Sequence, residues 1–374
     1  MQFARMTQAN QSGVAAFNAR IAHHPSRLLF GTVQSSHDDS QPPQPQERRR
    51  YLAYDEEGTI RGGYLLQWQK AWLRGRMIDA ASLGSPVSEG IIDPRFRALG
   101  AALLRDAAKR CPNLYALGTG GRNSGYFRLA KAMRWADADI PFLFHILRPT
   151  QFLRHAKPLR ERPSLRALSS VAASTGLGQL AINIVQARGR LAIGEKYRVE
   201  LVEDIAEAAD EVWDRARSAI DFCMVRDGAH VTPMFPNSHK GLNRLVVRYQ
   251  GTIVGWAVVT TTGLARVGKF LGECRPGLIV DTFGDLAHAP AIARAARDWL
   301  ADMNADVALT NTSHSAWLSA FRQAGFLNYP SQYPLIASGE MSKLPGGLSN
   351  AIARAHVTRA DGDGVHYLID NEDE

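Results

Sequence analysis

Arg97-x-x-Gly100-x-Ala102 sets an arginine, a glycine and an alanine where a strand should give way to a helix. The full stretch, Ile92-Asp93-Pro94-Arg95-Phe96-Arg97-Ala98-Leu99-Gly100-Ala101-Ala102, has a proline to end the strand and small residues at the helix opening. The first N–H groups of a helix have no partner within it, and the helix dipole favours an anion there. Small side chains let a bulky anion such as a pyrophosphate approach those groups. The chemistry on offer is backbone capture of a phosphorylated ligand. A net charge of +8 and a pI near 9.5 suit such a partner. The same charge would suit tRNA or an anionic polysaccharide, so charge selects anionic partners only as a class. No zinc-finger spacing, RNA-recognition signature or basic coiled-coil region accompanies it.

Several elements must position this turn. Leu103–Arg110 reads as an amphipathic helix following it, and Asn113–Gly118 as a short strand. Upstream, Tyr51–Tyr54 and Gly63–Leu66 read as a hairpin around the polar turn 55–60. The turn Gly58-Thr59-Ile60-x-Gly62 returns as Gly251-Thr252-Ile253-x-Gly255, 193 positions later and again between apolar strands. A repeat at that distance in 374 residues predicts two domains of roughly 150 residues, each large enough for its own core. Hydrophobic content of 45% and charged content of 21% fit a soluble globular chain. No run of 18 apolar residues predicts a membrane span, and Met1–Met6 lacks a signal-peptide core. Cys111, Cys223 and Cys274 are odd in number and lack metal spacing, as expected for buried thiols of a cytoplasmic protein without a metal.

The turn at 97–102, followed by Asn123 and the helix Ser124–Met133, resembles the acetyl-CoA-binding region of the GNAT superfamily, the Gcn5-related N-acetyltransferases. Arg134-Trp135 stands where that family usually has Gly-Phe opening its last hairpin. The order hairpin, strand, anion turn, helix, strand, helix, strand is the GNAT order, and it covers roughly residues 1–148. It recurs with Ala308–Asn311, a helix near Ser315–Ala324 and Gly325-Phe326, where Phe326 follows Trp135 by 191 positions. The resemblance implies an α+β fold of two tandem GNAT domains, each a mixed, mostly antiparallel sheet flanked by helices. The expected limits are a first domain at 1–148, a basic helical connector at 149–197, a degenerate second domain at 198–345 and a solvated tail at 346–374.

Acetyl transfer to an amine needs a neutral amine, a polarised thioester carbonyl and a stabilised leaving thiolate. In GNAT domains the pantetheine arm lies along the fourth strand, beside a splay between strands four and five. The fourth strand is expected at Ser85–Ile92. The resemblance then implies Glu89 as first candidate base, Asp79 as second, and Ile92, Arg97, Ala98, Leu99, Gly100, Ala101, Ala102 and Asn123 as the CoA-binding set. Many GNAT enzymes have a general-acid tyrosine seven residues after the motif Asn, but position 130 is alanine. Tyr126, one helical turn earlier, is the candidate acid, and His145 on the last strand a candidate acceptor contact. The second copy lacks the anion turn, and its Asp281 and Asp285 would repel a pyrophosphate. Phe321 replaces the acid, leaving His230, His239, Asp281 and His288 as unspecific acceptor contacts.

Three segments interrupt the pattern. Gln34–Gln46 is polar and proline-rich and reads as a surface loop beside the acceptor side. The connector carries Arg154, Lys157, Arg160, Arg162, Arg166, Arg188, Arg190 and Lys196 against Glu161 and Glu195; it suits interdomain packing, with peripheral contact to an anionic membrane as the other reading. The third is the tail. The expected function is acyl-CoA-dependent N-acyl transfer, most simply N-acetyl transfer from acetyl-CoA to a small amine, amino sugar or amino-acid derivative. Two alternatives stay open: a FemABX-like aminoacyl transferase using tRNA, and a non-catalytic GNAT-fold scaffold or CoA sensor. Homodimer formation is also left open.

Overall fold

The computed structural model describes residues 1–24, 30, 42–157, 161, 177–186, 194–261, 271–330 and 333–362. The proposed loop at Gln34–Gln46 and the middle of the connector thus fall mostly outside the described residues. The chain divides into two compact units, Met1–Asp139 with Gln332–Ala351, and Ile140–Ser331 with Ile352–Glu374.

The first unit is built from β1 (Gln2–Arg5), α1 (Gln11–Ile21), β2 (Arg48–Tyr54), β3 (Ile60–Leu73), β4 (Arg76–Ser88), α2 (Leu99–Arg110), β5 (Leu114–Leu117), α3 (Gly125–Ala132) and β6 (Ala136–Asp139). Its last strand comes from far along the chain: β15 (Pro334–Ala337) inserts between β5 and β6, antiparallel to both, giving the order β1-β2-β3-β4-β5-β15-β6. Arg74 and Gly75, both at positive φ (48° and 91°), make the two-residue turn that joins the long strands β3 and β4. α2 buries Leu99, Leu103, Leu104 and Ala107 on one stripe, and Pro112 prevents its continuation. These residues pack with Tyr64, Leu66, Leu83, Phe127, Trp135 and Ile336 in one apolar cluster.

The second unit starts with β7 (Phe142–Ile146), α4 (Pro149–His155), α5 (Leu177–Val185), β8 (Tyr197–Val202), α6 (Ala206–Ala216), β9 (Phe222–Met224) and α7 (Gly228–Met234). It continues through β10 (Asn243–Tyr249), β11 (Thr252–Thr260), β12 (Pro276–Gly284), α8 (Ala289–Asp302), β13 (Val307–Asn311), α9 (Ser315–Gln323) and β14 (Leu327–Tyr329). The last pieces are α10 (Leu348–Ala351), which belongs to the first unit, and β16 (Ala355–His356), in the second. The second sheet runs β14-β7-β13-β12-β11-β10-β8. β7 takes the place between β13 and β14 that β15 takes between β5 and β6.

The duplication extends to backbone irregularities. The β2–β3 register shifts between Ala53 and Tyr54, and the β10–β11 register shifts between Val247 and Arg248. The glycines of the repeated turn have definite tasks. Gly58 and Gly251 sit at φ 76° and 90°. A Cβ on Gly62 would come within 2.6 Å of Val87 O, and one on Gly255 within 2.7 Å of Phe283 O. Arg134, in place of glycine, still adopts φ 64°, matching Gly325 at 85°.

Two boundaries differ from expectation. The first sheet does not close with residues up to 148: β7 pairs with β13, Leu143 opposite Thr310, so the unit ends at Asp139. The region from 346 is not a solvated end throughout. Ala355, His356, Val357, Thr358 and Asp361 are buried, because they pair with buried polar groups of the second unit. Residues 363–374 lie outside the described residues.

Candidate active site

In the first unit β4 pairs with β5 only through Ala81↔Leu114 and Ser82↔Tyr115. From Leu83 onward the two parallel strands part. The register of β4 against β3 also breaks between Gly63 and Leu65, opposite Val87 and Gly84. A bulge in a strand bends it and frees backbone groups from the ladder. The N-terminus of α2 adjoins the end of β4: a Cβ on Gly62 would lie 3.1 Å from Leu99 Cδ2 and 3.3 Å from Ser88 Cα.

The approach to α2 is built by local hydrogen bonds. Ser88 Oγ accepts from Gly90 N–H, and Asp93 Oδ1 accepts from Arg95 N–H with Pro94 between them. α2 itself has no side-chain N-cap. Ala102 N–H bonds Ala98 O at 3.2 Å, so the N–H groups of 99–101 face out of the helix start. Arg97 and Ala98 are exposed, Gly100, Ala101 and Ala102 half-buried, and Leu99 points into the core. Ile92 is exposed one turn earlier, and Asn123 is exposed just before Ser124, whose Oγ caps α3 through Phe127 N–H. By contrast α8, the corresponding helix of the second unit, starts with buried Ala289 and Ala291 around Pro290, which has no N–H to offer.

The candidate chemical groups separate. Tyr126 Oη donates to Leu83 O at 3.2 Å, which places its hydroxyl where β4 leaves β5. Ala130 is fully buried in α3, so its position has no room for the usual tyrosine. Asp79 is exposed, bonded to Lys70 Nζ at 2.7 Å, and four residues back from Leu83, about 13 Å along an extended strand. Glu89 is not on the fourth strand, which ends at Ser88; it opens a 3₁₀ turn. Its carboxylate is buried and occupied by guanidinium donors: Arg20 Nε at 3.0 Å, Arg20 Nη2 at 3.1 Å and Arg61 Nη1 at 3.2 Å. Arg61 also bonds Asp55 and stacks 4.7 Å over Phe96, in the segment leading to α2.

The second unit repeats this clamp. Arg20 reaches Ile60 O as well as Glu89, and Arg215 reaches Ile253 O as well as Asp285. An arginine of α1 in the first unit, and of α6 in the second, thus ties the hairpin carbonyl to the acid that follows β4 and β12, respectively. Asp285 is half-exposed, and Asp281 is fully buried against Arg226 at 2.7 Å. The expected repulsion of an anion by Asp281 is therefore corrected: Arg226 neutralises it inside the core.

Other candidates are held in local networks and are not brought together. His145, on β7, belongs to the second sheet; its Nδ1 lies 2.8 Å from Gly325 O, and burial pushes its pKa down to about 4. His230 Nδ1 lies 2.5 Å from Asp227, His239 Nδ1 accepts from Gly241 N–H, and His288 Nδ1 lies 2.8 Å from Tyr197 Oη. Phe321 is core, edge-on to Phe326. Sequence reasoning passed over the loop Gly118–Gly121 that follows β5: its four residues all have positive φ, including Thr119 at 38°. Its signal was the run Gly-Thr-Gly-Gly. The three cysteines are buried and free, and among the described residues no group of His, Cys, Asp or Glu could hold a metal ion. No helix among them is long and apolar enough to cross a membrane.

Solved structures resemble this arrangement. A probable N-acyltransferase from Enterococcus faecalis V583 matches with a TM-score of 0.50 at 9% identity, over 91% of this chain and 73% of that one. Saccharomyces cerevisiae N-myristoyltransferase with bound myristoyl-CoA and inhibitors matches at 0.49 and 10% identity, over 90% and 79%. A GCN5-related N-acetyltransferase from Anabaena variabilis matches at 0.46 and 11% identity, over 90% and 72%. The first likeness shows the fold and nothing finer; the other two, below a TM-score of 0.5, add no weight. No family model matches the sequence, and no curated protein matches it. With β4 and β5 parting in the first unit and β12 and β13 in the second, the chain has a duplicated GNAT-type fold of two mostly antiparallel sheets flanked by helices.

Proposed function

We propose that this chain is an acyl-CoA-dependent N-acyltransferase, most simply an N-acetyltransferase, that binds its thioester in the first unit. The observation that carries this reading is the contrast between two equivalent helix starts. Neither has a side-chain cap, but that of α2 is accessible, whereas that of α8 is buried around Pro290, which has no N–H to offer. The pyrophosphate of acetyl-CoA would be held by the backbone N–H groups of 99–101 in the small-residue turn 98–102, with Arg97 beside it and Ile92 and Asn123 flanking. The pantetheine amides would meet the β4 backbone freed where it leaves β5. Tyr126, already hydrogen-bonded to that backbone, is the group for the departing thiolate.

Glu89 has the surroundings of a positioning residue, since both of its carboxylate oxygens are held by the guanidinium groups of Arg20 and Arg61. Asp79 is too far back along β4. The amine proton then leaves to water, and the acceptor enters as the free base. The acceptor class remains a small amine, an amino sugar or an amino-acid derivative, and the cytoplasm is the expected compartment. A CoA-binding sensor without turnover is the second reading, favoured by buried Ala130 and by the occupied Glu89.

Isothermal titration of the intact chain with acetyl-CoA tests the assignment. One site per chain is expected, with a dissociation constant on the order of micromolar. No heat and no thermal shift at millimolar acetyl-CoA would overturn it, and binding without thiol release over an amine panel would favour the sensor.

A further inference from the structure

The second unit has the same parting of strands as the first. β12 pairs with β13 through Pro276↔Val307, Gly277↔Ala308 and Leu278↔Leu309, and the ladder then stops. Thr310 Oγ1 donates to Ile279 O at 3.1 Å just beyond it. The backbone past that point finds its partner in residues 355–361. Ser313 N–H donates to Val357 O at 3.1 Å, Val357 N–H to Ser313 Oγ at 2.9 Å, and Thr312 forms a bridge with Thr358. Thr358 Oγ1 donates to Asp281 Oδ1 at 2.8 Å on the β12 side, and Arg359 Nη1 to Asn311 Oδ1 at 3.2 Å on the β13 side. The other edge of the segment, β16, pairs in parallel with β9, Ala355 opposite Phe222 and His356 opposite Cys223.

We infer that residues 355–361 act as an internal ligand of the second unit, a short extended stretch ending in a 3₁₀ turn at Arg359–Asp361, seated in cis in the opening between β12 and β13 that corresponds to the parting of β4 and β5 in the first unit. The segment binds as a strand-like peptide binds a sheet opening, through main-chain hydrogen bonds with a few side-chain anchors. The main anchor is ionic. Arg226, with no exposed surface, bonds Asp281 at 2.7 Å and Asp361 at 2.5 Å, and Asp361 Oδ2 accepts from Thr358 N–H at 2.8 Å. His356, also fully buried, lies 3.8 Å from Asp281 Oδ1 between Phe283 and Trp317. Two carboxylates facing one guanidinium would leave an excess negative charge in the core. Burial opposes the ionisation of Asp281, but Arg226, His356 and Thr358 together hold it below the usual carboxylate range. For Asp361 burial prevails and raises the pKa above the usual carboxylate range. In the first unit the equivalent loop, Gly118–Gly121, is partly open to solvent. The two openings thus differ in occupant: one is held by the chain itself, the other is left for a diffusible ligand.

Hydrogen exchange on the intact protein separates an occupant from a piece of core. An occupant leaves without unfolding its host. The amides of Val357, Ser313 and Thr358 should therefore exchange on the order of tenfold or more faster than those of Trp256–Val258 on β11. Asp361→Ala should widen that ratio, and Asp361→Asn should widen it less, since the amide keeps the contact with Arg226. Equal protection of the two sets in the wild type and in Asp361→Ala would overturn the inference, because 355–361 would then be core. A chain ending at Ala351 supplies a second test where circular dichroism shows it folded. The synthetic peptide Ile352–Gly362 should bind it saturably and raise its melting temperature; absence of binding would also overturn the inference. The outcome does not depend on whether the first unit binds CoA.

Discussion

Replacing Glu89 by glutamine removes one negative charge from between Arg20 and Arg61 without changing the shape of the side chain. Breaking a fully buried pair by deleting one partner costs about 3–5 kcal/mol, and an exposed pair only about 0–1 kcal/mol. The Glu89 side chain is 5% exposed, but Arg61 is 17% and Arg20 32% exposed, so both cations can regain water. The cost should fall between the limits, at about 2 kcal/mol. For a unit of this size that corresponds to a fall in melting temperature of roughly 4–8 °C. Glu89→Asp should cost about half as much, because the second unit builds the same clamp with Asp285 and Arg215 at 3.4 Å. Thermal and urea denaturation, followed alongside kcat against pH, make the test. A positioning role predicts lower stability, weaker acetyl-CoA binding through a loosened approach to α2, and a pH profile of unchanged shape. If kcat collapses and its low-pH limb disappears while the melting temperature stays put, Glu89 is the base and the clamp reading is refuted.

Gly100→Glu should weaken acetyl-CoA binding by at least about tenfold, since a carboxylate would enter the anion site and its Cβ would press Leu129 Cδ2 at 3.3 Å; calorimetry beside far-UV dichroism checks it. Gly284→Glu is unsuitable as a control, because its Cβ would meet Val254 O at 2.6 Å; the exposed Ala287→Glu should leave affinity unchanged. Tyr126→Phe should lower kcat by about 10–100-fold with little change in KM if its hydroxyl assists the thiolate, and an unchanged kcat would assign it to packing. Burial pushes His145 and His314 down to about 4, below the ordinary value of 6.5. The unfolded chain then binds more protons between those values, so stability is full above about pH 6.5 and falls as pH drops towards 4, by up to a few kcal/mol per histidine. A melting temperature that is flat from pH 7 to pH 4.5 would contradict the burial of both rings.

The repeated Gly-Thr-Ile-x-Gly turn was legible because each glycine answers a local demand, a positive φ in one case and a close strand approach in the other. The start of α2 at Leu99 was legible for the same reason, since a helix start is specified within a few residues. What was illegible depends on partners far away in the chain. Phe142-Leu143-Phe144-His145-Ile146 has the apolar pattern of a last strand, but nothing local tells it to pair with β13 and not with β5. Glu89 looks like a strand-end carboxylate until Arg20, 69 residues earlier, covers it. Thr358 and Asp361 read as a polar tail because the buried Arg226 that receives them lies 135 residues upstream of Asp361.

The exchange of β7 and β15 bears on how the polypeptide matures. At typical synthesis rates of about 5–20 residues per second, roughly 200 residues separate β6 from β15, a delay of about 10–40 s. Through that interval β5 and β6 lack the strand that lies between them, while β7 waits for β13. Both sheets therefore close late and nearly together, with unpaired edges exposed to nascent-chain chaperones until then. A fragment such as 1–148 would be born without β15 and with β7 unmated. Conversely, one proteolytic nick after Lys157 in the finished protein would leave each sheet holding strands from both pieces, so the halves should copurify under native conditions and separate only in denaturant.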